Sequence, residues 1–243
     1  AFDASFTASA GYVIRSMVGG IDSFPLLAVP MFVLAGILMA HGKISEKLFD
    51  VFVYFLGNKR AGIPCAVIIT CLFYGAISGS APATVAAVGS MTIPLLIELG
   101  YEKDFSTAIV AVAGGLGVII PPSIPFIMYA MATGESVSDL FLAGIVPGMM
   151  ISALLIFYAY YYCRRHGEDR EKIQAKMDQL KTKGFVNILK ESIWALLSPV
   201  IVLGCIYSGV ASPTEAAVIS VFYSLFVSLF IYKSIKVKQI WGI

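Results

Sequence analysis

The residues best suited to chemistry in this chain are the small hydroxyl-bearing and helix-breaking residues of two interruptions in long apolar stretches. The first interruption is Ala76-Ile-Ser-Gly-Ser-Ala-Pro-Ala-Thr84, and the second is Gly114-Gly-Leu-Gly-Val-Ile-Ile-Pro-Pro-Ser-Ile-Pro125. An unpaired backbone amide or carbonyl in hydrocarbon costs several kcal/mol, so irregular chain at membrane depth is tolerated only inside protein or beside a watery cavity. Paired breaks of this kind indicate a transporter's binding site.

The first break offers backbone dipoles rather than titrating groups. Ser78, Gly79 and Ser80 end one predicted helix, and Pro82 and Thr84 lie at the start of the next. Free carbonyl oxygens of a helix end and positive amides of a helix start therefore meet at one place. The carbonyls suit a hard cation such as sodium, and the amides with their hydroxyls suit a carboxylate.

The second break is built on Pro121, Pro122 and Pro125. Proline has no amide hydrogen and pushes its predecessor into extended geometry, so carbonyls here lose their helical partners. Small residues at 81–90 would allow another helix to approach closely. Ionisable residues are nearly absent from the apolar stretches, which favours a coupled sodium ion over a proton relay.

Composition restricts the class of protein. Hydrophobic residues make up 58% and charged residues 13% of the 243 residues, and the mean hydropathy is +0.87, which predicts an integral membrane protein. A net charge of +2, confined mainly to connecting segments, argues against a nucleic-acid partner. The four cysteines are typical of small core residues, and His41 and His166 lie at span ends, so we expect no metal site beyond an alkali ion.

The fold class expected is an all-α integral membrane protein, a multi-span helical bundle with a re-entrant helical hairpin and a broken transmembrane helix. The predicted apolar segments are 24–40, 61–77, 82–99, 104–133, 139–163, 191–209 and 213–232. Residues 44–57 have the pattern of an amphipathic helix lying along the membrane. The chain divides accordingly into 1–60 (a scaffold helix and an interfacial arm helix), 61–133 (the hairpin 61–99 and the broken helix 104–133), the helix 139–163, a polar basic loop 164–190, and a helix pair 191–243.

Basic residues predict the orientation. The 164–190 loop and the tail after 232 are rich in lysine and arginine, so both should be cytoplasmic. Counting spans backwards places Lys59, Arg60 and Lys103 on that side too, as a hairpin entering from the cytoplasm requires. The basic loop is most simply a topology determinant, with binding of lipid headgroups as a second role.

Simpler interpretations remain open for these features. Either break alone fits an ordinary turn or a proline kink. Ser212-Pro-Thr-Glu215 is a capping box, which leaves Glu215 a weak site candidate. A membrane-embedded serine hydrolase using Ser78 would need a general base within hydrogen-bond reach, and neither histidine lies within a span. A non-transporting assembly or receptor subunit would need the spans but not the two breaks.

The motifs together resemble one family, the large membrane subunit of tripartite ATP-independent periplasmic (TRAP) transporters. The similarity runs over essentially the whole chain, with several motifs in the same order. They are Ser23-Phe-Pro-Leu-Leu-Ala-Val-Pro-Met-Phe-Val-Leu-Ala-Gly36, Ala76-Ile-Ser-Gly-Ser-Ala-Pro-Ala-Thr84, Ile119-Ile-Pro-Pro-Ser-Ile-Pro125, Asp139-Leu-Phe-Leu-Ala-Gly-Ile-Val-Pro-Gly148 and Ser212-Pro-Thr-Glu-Ala-Ala217.

The resemblance implies a multi-pass subunit of a bacterial or archaeal inner membrane, which is not an enzyme. Its partners would be a small membrane subunit and a periplasmic substrate-binding protein. Its expected activity is the import of organic acids, of the C4-dicarboxylate or sialic-acid type, driven by a sodium gradient and an elevator movement. It also implies that this chain is about the first half of the subunit, lacking an initial helix and a second, inverted repeat.

The resemblance also assigns roles by motif. It implies that 61–133 belongs to a moving transport domain, and that 24–57 and 191–232 belong to its scaffold and arms. The substrate should lie near Thr84 and Ser123. The first sodium site should draw on the turn and on carbonyls of the broken helix, at Ser78, Ser80, Gly117, Ile120 and Pro122.

Overall fold

Every regular element is a helix in the computed structural model, which describes residues 10–21, 23–182 and 184–235. The expected all-α fold is confirmed. The helices are α1 (Ala10–Ile21), α2 (Ala28–His41, after a 3₁₀ turn Phe24–Leu27), α3 (Ile44–Leu56), α4 (Gly62–Ser78), α5 (Ala81–Glu98), α6 (Lys103–Gly114, followed by a 3₁₀ turn Gly115–Val118), α7 (Ile124–Thr133), α8 (Val137–His166), α9 (Arg170–Thr182), α10 (Phe185–Tyr207) and α11 (Pro213–Phe226, continued by a π-helical turn Val227–Ile231).

Five helical segments of the described chain are long and apolar enough to cross a membrane: Phe24–His41, Ala81–Glu98, Val137–His166, Asn187–Tyr207 and Pro213–Ile231. The protein is therefore a multi-pass membrane protein. The apolar helices Gly62–Ser78 and Ile124–Thr133 are shorter, and each has one end at a break predicted from the sequence. A short apolar helix that ends at membrane depth must leave its terminal backbone groups to protein or water.

Helix α4 lies at the centre of the molecule. It packs against α3, α5, α6 and α8, and nearly all its residues are buried, with Ile68, Tyr74 and Ile77 fully enclosed. A helix that is apolar on every side is stable only when it is surrounded. The first break, at the end of α4, is consequently placed inside protein rather than against lipid.

A second group of helices packs beside this centre. Helix α2 lies along α11, and α3 lies along α10. The Thr214 hydroxyl at the start of α11 donates to the Phe24 carbonyl oxygen at 3.0 Å, which joins the starts of the two segments. The assignment of these helices to a scaffold, and of 61–133 to a transport domain, stays a prediction.

Helix α9 lies within 164–190, where the sequence analysis predicted a polar loop. Its residues Ile173, Met177 and Leu180 are buried, at the spacing that places them on one helix face. Met177 packs against Gly57 after α3, where a methyl group on the glycine would lie 2.3 Å from the Met177 sulfur. The apolar face was missed because only three positions carry it in an otherwise charged segment.

Two further boundaries differ from expectation. Helix α1 was not predicted, and its residues 11–20 are exposed. Helix α10 begins at Phe185, six residues before the predicted start of that span at 191. The tail lysines Lys236 and Lys238 lie outside the described residues.

The base of the hairpin contacts the connection between α8 and α9. Glu168 Oε1 accepts hydrogen bonds from the Ala61 amide at 3.0 Å and from the Tyr101 hydroxyl at 2.7 Å, and Glu168 Oε2 lies 3.2 Å from the Arg170 guanidinium. Burial and this hydrogen bond raise the pKa of Tyr101, so its hydroxyl stays protonated and donates. Both ends of the hairpin and the 164–190 segment thus lie together, as the charges predicted; that this side is cytoplasmic stays a prediction.

Candidate functional site

The first break is a tight turn between α4 and α5. Gly79 ends α4 in the left-handed region, at φ +63°, and its amide donates to the Gly75 carbonyl at 2.9 Å, an arrangement that favours glycine because a side chain would be strained. Ser80 is extended and caps α5, with its hydroxyl 3.5 Å from the Ala83 amide. Pro82 lies in the first turn of α5, where no amide partner is lost.

The hydroxyls of Ser78 and Thr84 meet each other and the backbone of Ser80 at this turn. Ser78 Oγ lies 3.1 Å from Thr84 Oγ1, and Thr84 Oγ1 donates to the Ser80 carbonyl oxygen at 2.8 Å. The Ser80 amide lies 3.4 Å from Ser78 Oγ. Ser78 and Thr84 are fully buried. The turn is therefore a compact cluster of uncharged oxygens, which are the ligands that hard cations prefer.

The second break runs from the 3₁₀ turn after α6 to the start of α7. Residues 119–123 have no helical structure, and Pro121, Pro122 and Ser123 are buried. Ser123 caps α7: its hydroxyl donates to the Val118 carbonyl at 2.6 Å and lies 3.4 Å from the Phe126 amide. Pro125 occupies the first turn of α7, as Pro82 does in α5.

The two breaks contact each other through backbone. The Ile124 amide at the start of α7 donates to the Gly79 carbonyl at 3.3 Å. A methyl group on Gly79 would lie 2.9 Å from the Pro122 carbonyl oxygen, and one on Gly117 would lie 2.5 Å from Thr84 Oγ1 and 3.1 Å from the Ser80 carbonyl oxygen. Only glycine permits so close an approach, because any side chain would collide with these oxygens.

The structure brings five of the seven predicted site residues together at this contact. Ile120 enters the prediction through its carbonyl oxygen and not through its side chain, which packs over Gly148 of α8, where a methyl group would lie 2.3 Å from the Ile120 Cδ1 atom; its amide donates to the Leu116 carbonyl. Ser123 is held within its own segment by the Val118 carbonyl. The five residues that meet are Ser78, Ser80, Thr84, Gly117 and Pro122.

Sequence reasoning missed two residues near this contact, Gly75 and Tyr74. Gly75 touches the other break directly, since a methyl group on it would lie 2.5 Å from Gly117 Cα. The Tyr74 hydroxyl donates to the Gly36 carbonyl of α2 at 2.8 Å, which joins the last turns of α4 to α2. A tyrosine beside a glycine, one turn before the Ser-Gly-Ser motif, was the signal available in the sequence.

The charges around the site are those of helix ends. Neither α5 nor α7 has an acidic residue in its first turn, so their positive amide ends are not neutralised locally. The hydrogen-bond partners of Ser78 are Ser80 and Thr84, neither of which is a general base. Among the described residues no three His, Cys, Asp or Glu side chains group in a way that could hold a metal ion.

Comparison with known proteins identifies the relatives of this chain. The family model described as "Tripartite ATP-independent periplasmic transporter, DctM component" matches residues 4–243. The chain is 45% identical to the isethionate TRAP transporter permease protein DctMQ of Oleidesulfovibrio alaskensis, covering 93% of this chain and 35% of that protein. It is 35% identical to the C4-dicarboxylate TRAP transporter large permease protein DctM of Rhodobacter capsulatus, covering 94% and 54%.

A third relative is the 2,3-diketo-L-gulonate TRAP transporter large permease protein YiaN of Escherichia coli, 37% identical over 94% of this chain and 52% of that protein. The chain thus spans about a third to about half of the length of these relatives. Such relatives are permease subunits and not enzymes, as the sequence predicted. The match over nearly all of its length shows that the chain belongs to the DctM component family of tripartite ATP-independent periplasmic transporters.

Proposed function

We propose that this chain forms part of the large membrane subunit of a sodium-coupled transporter that imports organic acids delivered by a periplasmic substrate-binding protein. The observation that carries the proposal is the direct contact between the hairpin turn and the broken helix, through Gly79, Gly117 and Thr84. A lone turn or a lone proline kink needs no such partner.

The sodium ion belongs at this contact. Ser78, Ser80 and Thr84 supply uncharged oxygens on the hairpin side, and the carbonyls of Gly117, Ile120 and Pro122 supply them from the broken helix. Oxygen ligands without a titrating side chain favour an alkali ion whose binding does not depend on protons. The two breaks would then hold one cation jointly, and its loss would loosen their contact.

An organic acid fits the other half of the chemistry. The amide ends of α5 and α7 point into the region of the breaks and have no acid of their own, so a carboxylate would be stabilised there. Thr84 and Ser123 lie at these helix starts and are the expected neighbours of the substrate. Relatives are named for C4-dicarboxylate and 2,3-diketo-L-gulonate transport, which supports an organic acid as the cargo; the sialic-acid type stays a prediction from the resemblance.

An elevator movement would require the hairpin to shift relative to α2. Their contact includes the Tyr74–Gly36 hydrogen bond and the packing of Gly36 on Ser78, where a methyl group on Gly36 would lie 2.9 Å from Ser78 Cβ. A cavity of about 340 Å³ lies beside it between α2 and α5, lined on the α5 side by Ala83, Ala87 and Ser90. Small side chains and open space suit a sliding interface. The subunit would lie in an inner membrane and work with a small membrane subunit.

The test is sodium-driven uptake by the complete permease in proteoliposomes with its small subunit and binding protein. Ser80→Ala and Pro122→Ala, made separately, should each lower uptake and raise the sodium concentration needed for half-maximal rate. Unchanged sodium dependence in both variants would refute the site.

A calorimetric screen of the binding protein against organic acids would identify the cargo, and binding of none of them would refute the substrate class.

A further inference from the structure

A cleft of about 500 Å³ lies between the end of α3, the start of α4 and the second half of α8. Its volume falls within the range of about 300–1,000 Å³ that is typical of ligand pockets. Its walls are apolar, formed by Leu56, Cys65 and Ile69 on one side and by Ile156 and Phe157 on the other. At one end the lining changes character and carries two cations, Lys59 and Arg60.

The two cations stand on a fixed turn rather than on a loose loop. The Lys59 amide donates to the Leu56 carbonyl at 2.8 Å, and the Gly62 amide donates to the Lys59 carbonyl at 3.0 Å. Ala61 adopts the left-handed conformation at φ +57°, and its amide is held by Glu168 at 3.0 Å. The backbone of the turn is thus fixed while the side chains of Lys59 and Arg60 remain exposed.

Both charges are available to a ligand. Within the described residues neither Lys59 nor Arg60 forms an ion pair. The nearby acid that fixes the turn, Glu168, is paired with Arg170 at 3.2 Å and accepts from Tyr101, so its charge is already compensated. Accessible apolar surface that ends in unpaired cations complements a molecule with apolar chains and an anionic head.

We propose that this cleft binds an anionic phospholipid, with the phosphate at Lys59 and Arg60 and an acyl chain along the apolar walls between α4 and α8. The position along the membrane agrees: the turn lies with the hairpin base and the 164–190 segment, at the end of α8 where Tyr160 and its neighbouring tyrosines form an interfacial belt. A soluble phosphate would use the cations but not the walls, and a neutral lipid would use the walls but not the cations.

The role follows from the location. The bound lipid would touch the start of α4, the first helix of the hairpin, whereas the proposed ion site lies at the end of that helix. It would fill a surface that no other part of the described chain covers. Positive charge is concentrated at this turn, because the amide end of α4 lies beside Lys59 and Arg60. The phosphate of the lipid would compensate that charge.

The proposal is tested by lipid binding to the purified complete permease, measured by native mass spectrometry during titration with phosphatidylglycerol, phosphatidylcholine or soluble glycerol phosphate. Lys59→Gln combined with Arg60→Gln should weaken the tightest phosphatidylglycerol binding by about tenfold or more. The matched control is Arg164→Gln with Arg165→Gln, which removes two exposed charges at the end of α8 and should leave that binding unchanged. Ala153→Trp, which fills the cleft from α8 without altering charge, should also weaken it.

Four results would overturn the proposal. They are equal binding of phosphatidylcholine, competition by glycerol phosphate at the same concentration as the lipid, equal loss in both double charge variants, and unchanged binding after Ala153→Trp. The last would mean that another protein segment occupies the cleft. None of these readouts depends on transport, so the outcome is independent of the function proposed above.

Discussion

The helix starts at the two breaks, those of α5 and α7, differ from the starts of α8 and α11 in the residue that follows the cap in the first turn. All four are capped by serine: Ser80 for α5, Ser123 for α7, Ser136 for α8 and Ser212 for α11. At α8 and α11 an acid follows in the first turn, Asp139 or Glu215, and Glu215 completes a capping box with Ser212. At α5 and α7 the same position holds Ala83 or Phe126.

On the function proposed above, this difference separates caps that only stabilise a helix from caps that also lie at a ligand site. An acid at the third helical position neutralises the positive end of its own helix and closes the site to other anions. Helices α5 and α7 keep a serine cap but omit the acid, at the place where their ends meet each other and a cluster of oxygens. The positive starts of α8 and α11 are thus neutralised by their own acids, whereas those of α5 and α7 have no acid in the first turn and would accept an anionic ligand under the proposed function.

The largest effect is expected from placing a side chain in the contact between the two breaks. Gly117→Ala would place a methyl group 2.5 Å from Thr84 Oγ1, and overpacking of this kind costs about 1–3 kcal/mol. Sodium-driven uptake should fall by at least about tenfold. Gly115→Ala, two residues earlier where a methyl group meets nothing within 4 Å, is the control and should transport normally. Equal losses would show that the 3₁₀ turn, and not the contact, matters.

The second prediction concerns a substitution that gives α5 an acid in its first turn, as α8 and α11 have. Ala83→Glu would give α5 the acid that α11 has at Glu215, so the carboxylate should compete with an anionic substrate for the amide end of the helix. The substrate concentration for half-maximal uptake should rise by about tenfold or more, from an effect of up to about 2 kcal/mol. Glu215→Gln makes the reverse change at α11, and its uptake should match that of the unmodified protein. Normal substrate dependence in Ala83→Glu would contradict an open site at α5.

A third prediction compares two serine caps directly. Ser80→Ala and Ser212→Ala each remove a cap worth about 1 kcal/mol, so both should lower the free energy of unfolding by a similar amount. Only Ser80→Ala should raise the sodium concentration for half-maximal uptake, by a few-fold. If the two variants change stability and sodium dependence alike, then the caps have the same role.

The smallest effect is expected at the contact of the hairpin with α2. Tyr74→Phe removes the hydroxyl that donates to the Gly36 carbonyl, a hydrogen bond worth about 0.5–1.5 kcal/mol. The maximal uptake rate should change by a few-fold while the sodium affinity stays constant, because the bond joins the hairpin to α2, which the proposed movement would separate, and does not involve the proposed ligands of the ion. Tyr223→Phe, whose hydroxyl donates to the Trp194 carbonyl between α11 and α10, is the control.

Much of this site was predictable from residue types, because the relevant signals are local. Proline, glycine and serine mark where helices end and begin, so the positions of both breaks and the capping box at Ser212 followed from the sequence. The contact between Gly75 and Gly117 did not, because it joins residues far apart in the chain whose only local mark is a missing side chain. The orientation of Ile120 towards Gly148 of α8 was hidden for the same reason.

Helix α9 was missed for a different reason. Its charged residues dominate the composition of 164–190, and only the spacing of Ile173, Met177 and Leu180 records its buried face. The Glu168 junction was equally invisible, because the charges place the hairpin ends and the 164–190 segment on one side of the membrane but do not indicate which residues pair there. The five long membrane-spanning segments were predictable, because length and hydropathy alone identify them.

The central claim is that the hairpin turn and the broken helix hold one sodium ion jointly. The most direct measurement is the shift in thermal unfolding of the purified complete permease between sodium chloride and choline chloride at equal ionic strength. Sodium should stabilise the unmodified protein and Ser212→Ala equally, and the shift should be markedly reduced in Ser78→Ala and in Gly117→Ala, which act from opposite sides of the contact. An identical sodium-dependent shift in all four proteins would contradict the claim.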